Sequence, residues 1–362
     1  MSFLDQLVFS FSEDHDEAQR KFLQACAAQG LSHEAHVHPL KGPHGEPLVT
    51  HVARVGPEDA GTLLVIVSGT HGLEALAGAG CQVAWLRHGG IEAMPDDTAV
   101  LLVHIINPWG CAWQRRQNED NVDLNRSFLA PDAPRPFNEI YHEFHGLLTH
   151  AASSARASED PDIRAYLESR GEDAVFGALM TGQHEFPDGL GYCGSKPSWS
   201  RKILEDIVDR HAQRASKVGV IDLHSGLGPF GYGSIYSLAD VGSEELARAR
   251  ALFGPSVFAI KEGDAAYPTQ GELVNWISSR VPGQCTGVAV EYGTYDMRTL
   301  IMLEIDDTRI WREGSHRTPQ ADAVRRALSD FFYPTSTDWR QYVAMRALQV
   351  IGTMMRIRSV PS

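Results

Sequence analysis

Cysteine is scarce in this chain: five among 362 residues, at positions 26, 81, 111, 193 and 285, with no CxxC pair. An odd, scattered set of thiols excludes a disulfide framework and a structural zinc site built from thiolates. Positive charge is also scarce: 32 Lys and Arg stand against 46 Asp and Glu, the formal net charge is -14, and no basic run occurs. A nucleic-acid groove or an anionic membrane as partner would need clustered cations, so neither is expected. A few local arginines can still reverse the field inside a cleft and hold a small acidic molecule. No apolar stretch reaches the roughly eighteen residues of a membrane span. The N-terminal stretch MSFLDQLVFSFSEDHDEAQRK lacks a basic n-region and does not read as a signal peptide, so a cytoplasmic location is expected. There is no repeat, no low-complexity tract and no GxSxG elbow, and the last absence removes the main serine-hydrolase alternative.

What is present is a chain that is 43% hydrophobic, enough for a large core. Residues 12–29 read as an amphipathic helix, with Ser12 as N-cap and Gly30 just past its end. Segments 33–39 and 47–55 are expected to pair as strands. Four apolar runs, Thr62–Ser68, Ala99–Ile106, Val218–Leu223 and Gly287–Glu291, have the continuous character of strands buried on both faces. Helices are expected over 73–86, 198–213, 242–253, 270–280, 317–332 and 337–357. Buried strands alternating with helices predict an α/β fold, with a mostly parallel central sheet and helices on both faces. A single domain is expected over 1–362, with a loop-rich excursion at 130–200 and a helical C-terminal part at 296–358.

The polar motifs stand at the C-terminal ends of these strands, where open α/β sheets bind ligands. His71-Gly72-Leu73-Glu74 follows the first run; HxxE is short, and a polar turn with a helix-stabilising Glu would read the same way. Asn107-Pro108-Trp109-Gly110 follows the second, then Arg115-Arg116, then Asn121-Val122-Asp123-Leu124-Asn125-Arg126. Ile221-Asp222-Leu223-His224 ends the third, and Val290-Glu291-Tyr292-Gly293 the fourth. Tyr267, with Gly271 and Trp276, precedes the last strand. Two further patterns are set aside. Gly226-Leu227-Gly228-Pro229-Phe230-Gly231 matches GxGxxG, but Pro229 and the following GYGSIYSL favour a strand where a dinucleotide site needs a helix. In His142-Glu143-Phe144-His145 the second histidine stands one position short of HExxH.

Taken in order, HxxE, NPxG, Arg, DxNR, His and Glu resemble the zinc carboxypeptidase family and the wider group that includes aspartoacylase-like N-acyl-amino-acid deacylases. The resemblance spans roughly 62–295. Ser127 stands where many members repeat an asparagine, and the excursion and helical C-terminus differ from the digestive enzymes, which points to a bacterial branch. The resemblance implies a carboxypeptidase-like fold and one zinc ion per chain held by His71, Glu74 and His224, although manganese or iron suits the same donors. It implies Glu291 as general base and Arg116 at the oxyanion, with Arg115 an alternative. It also implies Asn125 and Arg126 on a substrate carboxylate, and Tyr267 as a substrate-binding tyrosine. Asp123 is expected to accept from the far nitrogen of His71 and fix its tautomer. The function implied is hydrolysis, by metal-activated water, of an amide bond next to a free carboxylate, in a small peptide or an N-acyl amino acid. The alternative is a catalytically inactive zinc-binding or regulatory protein of the same fold; a homo-oligomer is compatible with either.

Overall fold

Every residue of Thr62–Ser68 is buried, and so is every residue of Thr98–His104; these two strands lie side by side, parallel, near the middle of an eight-stranded sheet. The computed structural model describes residues 2–130, 132–150, 156–262 and 269–360, without the side chains of 149 and 150. In chain order the strands are β1 His33–Lys41, β2 Pro47–Val55, β3 Thr62–Ser68, β4 Thr98–His104, β5 Lys217–Gly226, β6 Gly233–Ser237, β7 Phe258–Ala259 and β8 Gln284–Gly293. Their spatial order is β1-β2-β4-β3-β5-β8-β6-β7. The four central strands β4-β3-β5-β8 are parallel, as the continuous apolar runs predict. The flanks are not: β1–β2, β2–β4 and β6–β8 pair antiparallel, which makes the sheet mixed at its edges.

Strand alternation divides the core between the two faces. Leu64, Ile66, Val100, Leu102, Ile221, Leu223, Val288 and Val290 pack on one side with the helices His15–Ala28, Ala75–Arg87 and Thr337–Met354. Leu63, Val65, Val67, Leu101, Val103, Val218 and Val220 pack on the other, against Trp199–His211 and Leu273–Arg280. Each such side chain contributes about 1.5–3 kcal/mol when fully buried.

Local details differ from expectation in three places. The first long helix is capped by Asp14, whose carboxylate accepts from the Glu17 N–H; Ser12 instead donates its backbone N–H to the Tyr333 hydroxyl at 3.1 Å. The helix after β3 opens with a 3-10 turn, Gly72–Glu74. A sixteen-residue helix, Met297–Arg312, occupies a stretch assigned only generally to the helical C-terminal part. Within the 130–200 excursion, the helices Glu139–His150, Pro161–Arg170 and Glu172–Thr181 gather Tyr141, Phe144, Ile163, Leu167 and Val175 into a cluster of their own. That cluster rests on Ile301, Met302 and Ile305 of Met297–Arg312. Among the described residues, no helix is long and apolar enough to cross a membrane.

Candidate active site

Three strand ends and one loop converge at the C-terminal edge of the parallel centre. β3 ends at Ser68, and Gly69 turns the chain at φ +75, with its Cα hydrogen facing the backbone of Ile105; a Cβ there would lie 3.1 Å from the Ile105 Cα. Ile105 is itself held at φ 57, an unusual position for a β-branched residue, with its N–H bonded to Ser68 Oγ at 3.0 Å. This turn delivers His71 at the head of the 3-10 turn that carries Glu74. β5 delivers Asp222 and His224, two residues apart and therefore on the same face of the strand. In register, Asp222 sits beside Ala289 and His224 beside Glu291 of β8. Alternation sends Val290 and Tyr292 into the opposite core and leaves Glu291 on the site's side.

The donors of His71, Glu74 and His224 lie within 4.8 Å of one another, and all three residues are buried. Nδ1 of His71 is 2.7 Å from one Glu74 oxygen, and Nδ1 of His224 is 2.8 Å from the other. The far nitrogens are occupied as well: His71 Nε2 is 3.1 Å from Asp123 and His224 Nε2 is 2.7 Å from Asp222. An imidazole that donates Nε2–H to a carboxylate turns the lone pair of a neutral Nδ1 toward Glu74. Two such lone pairs at hydrogen-bond distance from a carboxylate need positive charge between them, as two protons or as one shared cation. The donor set therefore fits a divalent metal of the zinc type. Without one, the rings hold protons. Burial works to lower both imidazoles, but Glu74 and Asp123 outweigh it, with Arg116 opposing, and raise His71. Asp222 and Glu74 raise His224 well above its ordinary value against the same burial.

The expected site residues fall as follows. Asp123 caps the turn Leu124–Arg126 and touches His71 and an Arg116 guanidinium nitrogen. Burial would raise its carboxyl, but Arg116 and His71 hold it well below the usual range. Arg116 lines the cleft, whereas Arg115 is turned away: its Nε donates to Asp307 at 2.8 Å and its guanidinium lies 4.4 Å from the Trp311 ring. Asn125 Oδ1 accepts from the Leu273 N–H, which leaves its amide nitrogen as the end available to a ligand. Arg126 donates through Nε to the Met180 carbonyl and through one terminal nitrogen to that of Asn125. Glu291 is half-buried, its buried Oε2 has no hydrogen-bond partner among the described residues, and desolvation pushes its carboxyl up to about 7. Tyr267 lies outside the described residues. Asp222 was missed in the sequence, although the D-x-H alternation within a strand is the signal that places both side chains on one face. Thr70 Oγ1 donates to the other Asp222 oxygen at 2.7 Å and fixes that carboxylate in turn.

Glu74, Arg116, Asn125, Arg126, His224 and Glu291 open on one cavity of about 270 Å³, which Tyr236, Leu238, Ile260 and Ala289 also line. Gly226, Leu227 and Gly228 line the same cavity, but neither discarded pattern forms the motif it mimics. After Gly226 the chain enters β6 and no helix follows the glycines, while His142 bonds Glu185 and His145 stacks on Phe186.

No curated protein matches the chain in sequence. Solved structures similar to it include bovine thrombin-activatable fibrinolysis inhibitor in complex with tick carboxypeptidase inhibitor, 12% identical, covering 96% of this chain and 100% of that one at a TM-score of 0.45. Carboxypeptidase A from Helicoverpa armigera is 13% identical, with 89% and 74% covered and a TM-score of 0.43. Murein-tripeptide amidase from Escherichia coli O157 is 17% identical, with 84% and 94% covered and a TM-score of 0.38. A family model matches residues 11–346, and the chain belongs to that family, described as protein of unknown function (DUF2817).

Proposed function

We propose that the protein is a zinc-dependent hydrolase that cleaves an amide bond next to a free carboxylate, in a short peptide or an N-acyl amino acid. The observation that carries this reading is the pair of imidazoles, each backed by a carboxylate and each turning Nδ1 to Glu74, beside Glu291, whose Oε2 has no partner among the described residues. His71, Glu74 and His224 would hold the metal. The bound ion supplies Lewis acidity, polarising a carbonyl and lowering the pKa of water to about 7. Glu291 takes the proton of the attacking water and returns it to the leaving amine, a role suited to a carboxyl raised to about 7 by burial. Arg116, anchored by Asp123, faces the carbonyl oxygen as negative charge develops there. Arg126 and the Asn125 amide receive the substrate carboxylate, and the wall of Tyr236, Leu238, Ile260 and Ala289 favours an apolar side chain on the leaving amino acid.

The test is metal analysis together with a screen of dipeptides and N-acyl amino acids, using wild type, His71→Ala and Glu291→Gln. One zinc per chain and hydrolysis in wild type are expected. His71→Ala should lose both, and Glu291→Gln should keep the metal while kcat falls by about 10²–10⁴-fold. Hydrolysis that survives in Glu291→Gln, or a wild type that binds no metal, would overturn the reading.

A further inference from the structure

The helix Met297–Arg312 buries three acids, and two have clear partners. Asp306 accepts the Ala157 N–H at 2.7 Å, and Asp307 accepts Arg115 Nε at 2.8 Å. Glu304 differs. It is only 8% exposed, its Oε2 receives a long 3.3 Å bond from Gln117, and its Oε1 has no partner among the described residues. The cation that acts on it most strongly, Arg116, is already engaged by Asp123. Burial pushes the Glu304 carboxyl up, against Arg116, to about 7, as for a group short of positive charge.

Glu304 lines a small cavity of about 50 Å³, with Leu190 and Gln117. Arg116, Phe176, Met180 and Leu300 line both this cavity and the active-site cavity, so the two adjoin at the arginine. One water needs about 10–15 Å³ of such space, so the cavity has room for a group of ammonium size. A carbonyl oxygen facing Arg116 sets the acyl side of the substrate toward Glu304, while Arg126 and the apolar wall take the amine side. In an unblocked peptide the α-ammonium stands two bonds from the carbonyl carbon. An unpaired buried carboxylate is costly, and a cation that pairs with it recovers much of that cost.

Building on the hydrolase reading, the geometry points to Glu304 as the residue that binds a free ammonium on the acyl side of the scissile bond. The substrate is then an unblocked dipeptide or similar short peptide, and N-acyl amino acids are disfavoured.

The test compares Ala-Phe with N-acetyl-Ala-Phe on the full-length, zinc-loaded protein. Wild type should prefer the free peptide in kcat/KM by roughly tenfold or more, the size of a hydrogen bond between charged groups. In Glu304→Gln that ratio should collapse to within about threefold of unity. Equal use of both peptides by wild type overturns the assignment, as does a Glu304→Gln variant that slows both by the same factor, which is the mark of a merely structural residue. Calorimetric Kd values for both peptides on Glu291→Gln, with and without Glu304→Gln, give a readout that needs no turnover. A binding preference without hydrolysis by wild type would retain Glu304 and sink the hydrolase; hydrolysis without preference would do the reverse. Failure of both peptides to bind overturns both.

Discussion

The two halves of the donor cluster are built differently. On β5, His224 and its carboxylate Asp222 are two residues apart on one strand, and Thr70 holds the second oxygen of that carboxylate. His71 stands on a turn, and its carboxylate Asp123 arrives from 52 positions further along the chain, held by the Asn125 N–H and by Arg116. The strand half is local and is fixed once β5 enters the sheet. The loop half depends on several segments meeting, and in the proposed mechanism it would couple metal holding to the arginine proposed to face the substrate.

Four changes should break or sharpen that contrast. The largest effect removes a donor from either half: His71→Ala and His224→Ala should both reduce bound zinc to background and abolish turnover, as read by metal analysis and a peptide assay. Next, Asp222→Asn and Asp123→Asn should each weaken zinc binding by about 10–100-fold, measured by chelator competition. At saturating zinc they should part company: Asp123→Asn also lowers kcat because Arg116 loses its anchor, whereas Asp222→Asn leaves kcat closer to wild type. Equal kcat values would mean that the coupling through Arg116 is absent.

A smaller effect tests the turn itself. A Cβ on Gly72 would lie 2.1 Å from the Gly110 carbonyl carbon and 2.4 Å from the Arg115 carbonyl oxygen, both backbone atoms that cannot step aside. Gly72→Ala should cost about 1–3 kcal/mol in urea denaturation and loosen zinc through His71, leaving the strand half in place. The smallest effect is on pH. In zinc-free protein both imidazoles are raised above 6.5, His224 the more. Their contribution to stability is full below the unfolded value and is lost as pH rises through the folded one. The thermal midpoint of chelator-treated protein should therefore fall on the alkaline side, and the part of that slope due to His224 should shrink in Asp222→Asn. Zinc displaces the same protons, so its affinity should rise with pH.

The contrast also explains what could be read in advance. The four parallel strands were legible because each is an unbroken apolar run ending in a polar motif, and the DxNR segment pointed to Asp123 through its motif. The helix Met297–Arg312 falls within the stretch expected to be helical, but its bounds were not legible, because Glu304, Asp306 and Asp307 interrupt its apolar face. The partners brought by Ala157 and Arg115 make Asp306 and Asp307 tolerable inside. The choice between Arg115 and Arg116 could not be made from adjacent residues of one type; Asp307 and Trp311 take the first, and Asp123 takes the second into the cleft.

By itself the sequence determined the elements whose physics is local: buried strands from apolar continuity, and the strand period that sets Asp222 and His224 on one face. Tertiary structure decided which distant groups share a site, how the flanking strands run, and which buried carboxylates are left without a cation. These depend on distances between segments far apart in the chain, and side-chain charge balance is set only when those segments pack.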